Sequence, residues 1–89
     1  METARLRETW TRCAPLLAEL DALGRLGGNA LVKIDGGRSD DGGALPETYT
    51  VVLAGGRLRD EFFRRDGADL EKLLRDAIEF FKKHAVAAD

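Results

Sequence analysis

Eighty-nine residues with a formal net charge of −2 make one domain, 1–89, whose expected stability is a few kcal/mol, because a chain this short buries only about 60–65% of its unfolded surface. The charge balance supplies no general pull toward nucleic acid or anionic lipid. The single cysteine, Cys13, excludes an internal disulfide. The opening residues alternate charge without an apolar core, so no signal peptide is expected. No apolar run approaches a membrane span, and the expected location is the cytoplasm. Arginine outnumbers lysine ten to four, which points to a GC-rich, bacterial source.

The first element is helical. Leu6, Trp10, Cys13, Leu17 and Leu20 recur at the spacing of one helix face, widened by Leu16 and Leu23. Pro15 leaves two arrangements open: one kinked helix from about Thr3 to Leu23, or a second helix capped by Thr11 with the proline in its first turn. Gly24 and then Gly27-Gly28 are expected to end the segment. Asn29–Ile34 (NALVKI) reads as a short strand, and Glu47–Ala54 (ETYTVVLA) as a stronger one rich in β-branched residues.

Between those strands, residues 35–46 are expected to form a flexible hairpin loop rich in glycine and aspartate. Its candidate functional residues are Asp35, Arg38, Asp40 and Asp41. An EF-hand starting at Asp35 would place Gly37 at loop position 3 and Pro46 at position 12, where oxygen ligands are needed. A phosphate loop would need Lys-Ser/Thr at a helix start, not aspartates before a strand. The alternatives are a weak Ca²⁺ contact through Asp35, Asp40 and Asp41, or a partner contact.

Gly55-Gly56 suits a two-residue hairpin turn, with Arg57–Arg64 returning. That turn pairs Ala54 with Arg57, Leu53 with Leu58, Val51 with Asp60 and Tyr49 with Phe62. The face with Leu53, Leu58, Val51, Tyr49 and Phe62 is apolar except for Asp60 and is expected to meet the helices, joined by Val32 and Ile34. The outer face is then expected to hold Leu31, Lys33, Val52, Arg57, Arg59 and Phe63. Adjacent Phe62 and Phe63 cannot both be hidden by one sheet face, so an exposed apolar and basic contact patch is predicted.

The last helix is the clearest element. Leu70, Leu73, Leu74, Ala77, Ile78 and Phe81 form one face, with Glu71, Lys72, Arg75, Asp76, Glu79 and Lys82 elsewhere. Asp66 and Asp69 resemble a capping pair, Lys82, Lys83 and His84 suit the C-terminal dipole, and residues 85–89 are expected to fray. The fold class is therefore α+β, in the order α-β-β-β-α, with a three-stranded antiparallel meander and helices packed on one face.

That order, with TYTVVLAGGR as its second strand and turn, resembles the double-stranded-RNA-binding domain over Leu17 to Phe81. The resemblance implies RNA binding through a basic cluster at the start of the last helix. The matching stretch here is RDGADLEK, where Asp66, Asp69 and Glu71 repel phosphate. A single-strand binder stacking bases on Phe63 beside Arg57, Arg59 and Arg65 is the other nucleic-acid reading. One histidine and one cysteine cannot close a zinc site, and no nucleophile has an evident base beside it. No catalytic role, cofactor or metal is expected. The expected function is a small protein-interaction module of adaptor, regulator or immunity type. Its partner is another protein or a second copy of the chain, meeting the sheet face or the leucine stripe of the first helix.

Overall fold

The computed structural model describes residues 2–34 and 49–86. Helix α1 (Glu2–Gly27) leads into β1 (Asn29–Ile34), then β2 (Tyr49–Ala54), a short 3-10 turn (Gly56–Leu58), β3 (Phe62–Gly67) and helix α2 (Leu70–His84). The strands form an antiparallel meander in the order β1-β2-β3, and the fold is a single α+β domain of α-β-β-β-α order. Helix α2 lies against β2 and β3, while α1 packs mainly on α2 and touches β1 only lightly.

Of the two arrangements open at Pro15, a single continuous helix forms, with Pro15 exposed. The helix also passes the expected stop at Gly24. The Arg25 guanidinium bonds the Asp21 carboxylate four residues earlier at 3.0 Å, bridging the glycine, and the half-buried Leu23 ties that turn to the core. The chain leaves the helix at Gly27 and Gly28, whose φ values of 137° and 150° no other residue adopts without strain. Cys13 and Leu20 are the buried residues of α1, with Trp10, Leu16, Leu17 and Leu23 half-buried beside them. Trp10 sets its ring edge-on to Tyr49, centroids 6.4 Å apart.

Strand β2 alternates cleanly. Tyr49, Val51 and Leu53 are buried toward the helices, and Thr50, Val52 and Ala54 face away. From above they meet Leu70, Leu73, Leu74, Ala77, Ile78 and Phe81 of α2. The Asp69 carboxylate caps α2 by accepting the Lys72 N–H at 3.1 Å, which satisfies one of the donors that a helix start leaves open. Asp66, the other member of the expected capping pair, belongs to β3 instead.

The β2–β3 hairpin departs from the expected register. Ala54 pairs with Phe62 and Leu53 with Phe63, so the return strand begins five residues later than a Gly55-Gly56 turn dictates, at Phe62 in place of Arg57. An odd slip exchanges the two faces of the strand. Phe63 is therefore core, 5% exposed, and Phe62 is outside, 65% exposed. One feature favours this register. The short-turn pairing would aim Asp60 into the apolar face without a partner, a costly burial, whereas here Asp60 is an exposed turn residue. Leu58 is inward in either register: here the longer loop folds it into the core, 1% exposed.

The reversal is made at Leu58–Glu61, where the Glu61 N–H donates to the Leu58 carbonyl at 2.9 Å. Arg59, at φ 56° and ψ −115°, occupies the first central position of a type II′ turn, a place suited to glycine. Ahead of it, Gly56 backs onto the α1–β1 junction, where an added Cβ would lie 2.5 Å from the Gly27 carbonyl carbon and the Gly28 nitrogen. Fraying is expected from Ala85 onward, yet Ala85 N–H bonds the Phe81 carbonyl and Val86 N–H donates to the Arg57 carbonyl at 2.9 Å. Val86 is thereby fastened to the 3-10 turn, and 87–89, the rest of the segment expected to fray, lie outside the described residues.

Candidate functional site

With α1 and α2 both on one side of the sheet, the other side is left open among the described residues. The register places three rows across it: Asn29–Ala54–Phe62, Leu31–Val52–Arg64 and Lys33–Thr50–Asp66. Leu31 pairs directly with Val52, and Phe62 pairs with Ala54 and lies diagonal to Val52. Phe62 at 65% and Leu31 at 57% are among the most exposed large apolar side chains of the protein. A contiguous Leu31–Val52–Ala54–Phe62 strip thus crosses the sheet.

One end of the strip is polar and ordered. The Thr50 hydroxyl donates to the Asp66 carboxylate at 2.6 Å, and the Arg64 guanidinium approaches the same carboxylate at 3.7 Å. Lys33 stands in the same row. Two cations and one carboxylate leave this end with a net positive charge, which suits an acidic rim on a partner.

Leu31, Lys33 and Val52 lie on the outer face. Phe63 does not: it turns inward against Phe80, centroids 5.5 Å apart, with Arg65 5.4 Å above its ring. Arg57 and Arg59 are not on the face either. Arg57 is half-buried in the 3-10 turn and Arg59 is exposed in the reversal. The outward strand positions assigned to them belong to Phe62 and Arg64, for the register reason given above. Asp35, Arg38, Asp40 and Asp41 lie outside the described residues.

A groove of about 260 Å³ between β3 and α2 is lined by Phe63, Arg65, Asp76, Glu79, Phe80, Lys83 and His84. Its cations and anions balance, and Arg65 and Lys72 both bond the Asp76 carboxylate, at 3.1 and 3.0 Å. Nothing there concentrates one sign of charge on a ligand. The start of α2 carries Asp69 and Glu71, with Glu71 held by Arg75 at 2.7 Å, so this end meets phosphate with carboxylates. Burial pushes the Cys13 thiol above its ordinary pKa, and the charge of Glu71 adds to the shift, which keeps it a protonated core group. Among the described residues no three His, Cys, Asp or Glu side chains gather as metal ligands, and no helix is long and apolar enough to cross a membrane.

The chain matches no protein-family model, and no curated protein and no solved structure is detectably similar to it. The resemblance to the double-stranded-RNA-binding domain rests on element order alone.

Proposed function

We propose that the protein is a small cytosolic interaction module that binds another protein through the outer face of its sheet. The observation that carries this reading is the strip of Leu31, Val52 and Phe62, left open among the described residues, with the large side chains of Leu31 and Phe62 mostly exposed. Keeping a phenylalanine and a leucine in water forgoes about 1.5–3 kcal/mol each relative to burial, and an aromatic anchor in a contiguous patch is the usual core of a protein interface. The Lys33 and Arg64 side chains favour a partner whose apolar patch is rimmed by carboxylates.

The test uses the whole chain and Phe62→Glu. Both are checked for folding by circular dichroism, which the substitution leaves unchanged because Phe62 contributes little to the core. Each is used to capture proteins from a bacterial lysate, and the recovered protein is then titrated in purified form. Loss of at least tenfold in affinity on Phe62→Glu, or about 1.4 kcal/mol, with further weakening on Arg64→Glu, supports the face. Equal binding by wild type and Phe62→Glu overturns it. Retention of single-stranded RNA that falls steeply with salt and is lost in Phe62→Glu would replace the protein partner with a nucleic acid.

A further inference from the structure

Strand β1 is an edge of the sheet, hydrogen-bonded to β2 alone among the described residues. Its six residues carry one charge, Lys33, and its apolar residues fall on both faces: Ala30, Val32 and Ile34 toward the helices and Leu31 outward. None is fully buried. Ile34 is on the helix side and still 60% exposed, because α1 leans toward α2 and leaves the inner side of β1 half roofed. The space left is a groove of about 390 Å³ between β1 and the C-terminal half of α1. Leu17, Leu20, Ala30 and Val32 give it an apolar floor, and its rim holds Asp21 and Arg25, which neutralise each other.

We propose that this edge pairs with the same edge of a second copy. Two β1 strands would run antiparallel across a two-fold axis and make one six-stranded sheet with all four helices on one side. An antiparallel strand is its own complement under that symmetry. With Val32 opposite its own copy, Ala30 faces Ile34 of the partner, so the inner apolar residues are matched. Leu31 then faces Lys33 of the partner, which sets no like charges directly opposite. The neutral rim of the groove removes charge repulsion between two identical surfaces.

The size fits. A strand of six residues is about 20 Å long, and a sheet with one helix layer is roughly 20 Å deep with side chains included. The buried surface comes to about 400–500 Å² a side, about 800–1,000 Å² in total, which is the size of a weak, reversible association. A dimer that dissociates within the micromolar range is expected from the matched apolar residues together with this small area, since area alone does not fix affinity. The pairing does not rest on the outer-face reading, but it would set the two Leu31–Val52–Phe62 strips side by side.

The experiment is sedimentation equilibrium on the whole chain from about 5 to 200 µM, with Ala30→Lys and Ile34→Lys alongside. Both positions are exposed in the single chain, so both variants stay folded by circular dichroism while placing an inward lysine on the edge. The expected result is a wild-type mass twice the 9.8 kDa of the chain and monomers for the variants. A mixed sample of labelled and unlabelled copies should also show intermolecular nuclear Overhauser contacts within β1. A wild-type monomer at 200 µM overturns the pairing. A wild-type dimer without β1 contacts, or one that both lysine variants retain, overturns this edge as its site.

Discussion

The two edges of the sheet are built to opposite ends. Each is a six-residue strand antiparallel to β2. β3 reads FFRRDG and β1 reads NALVKI. The β3 edge places three charged side chains in a row, ties Arg65 to Asp76 of α2 and Arg64 to Asp66, and lies against α2. Charges on an edge deter a further strand. The β1 edge has a lone lysine, no charge pair of its own among the described residues, and only light contact with α1. Among the described residues α2 covers β2 and β3, and β1 is the more accessible side.

The largest test of that contrast is on β3, where two neighbouring phenylalanines have opposite surroundings. Phe63→Ala is expected to lower stability by about 3 kcal/mol, close to the whole stability of a domain this size. Phe62→Ala should stay within about 0.5 kcal/mol of wild type. Urea unfolding of both measures the difference, and equal losses would mean that the register described for β3 is wrong. Next comes the turn that sets this register. Gly56→Ala puts a methyl group 2.5 Å from the backbone of Gly27 and Gly28, at a positive φ. A loss of about 2 kcal/mol in the same assay is expected, and a neutral result would mean that the hairpin turn does not abut the α1–β1 junction.

How far such contrasts can be read from residues alone depends on what fixes each element. Helix α2 is legible because its apolar positions from Leu70 to Phe81 repeat with the helix period and its charges avoid them. The inward set of β2 is legible because Tyr49, Val51 and Leu53 alternate with Thr50 and Val52. The outward placement of Leu31 and Lys33 follows from pairing β1 on β2. The face of β3 is another matter. It depends on whether the loop length is odd or even, and two adjacent phenylalanines offer an inward residue in either case. Gly55-Gly56 signals a turn where a turn does occur, and Leu58 is inward in either register, but a local signal cannot show that Leu58 turns inward from a loop and not from the strand, which lengthens the loop. Asp60 was the available warning, since the short turn aims its carboxylate at Val51. The longer loop takes Arg57 and Arg59 out of the strand, and its odd length turns Phe63 inward and sets Phe62 and Arg64 on the outer face.

A gain in stability is expected at Arg59. Its φ of 56° and ψ of −115° occupy the place where a type II′ turn takes glycine, and a side chain held there costs on the order of 1–3 kcal/mol. Glycine relieves that strain but frees the unfolded chain, so Arg59→Gly should gain about 1 kcal/mol by thermal and urea unfolding. The variant tightens the reversal that delivers β3 in register without touching either edge. A loss would show that the Arg59 side chain holds the turn in a way its exposure conceals.

The smallest effect on stability carries the finest test of the edge contrast. Arg64 and Asp66 are exposed, 3.7 Å apart, and such a pair contributes roughly 0–1 kcal/mol. Arg64→Val should therefore change stability by no more than about 0.5 kcal/mol in urea unfolding, valine restoring by strand propensity part of what the ion pair loses. Its effect should appear in association, because the variant replaces a guard on β3 with an apolar side chain beside Phe62. Light scattering across concentration should show larger assemblies than wild type forms, and Ala30→Lys on β1 should not suppress the added species. If Arg64→Val leaves scattering unchanged, the charges of β3 are not what keeps that edge closed, and cover by α2 alone separates it from β1.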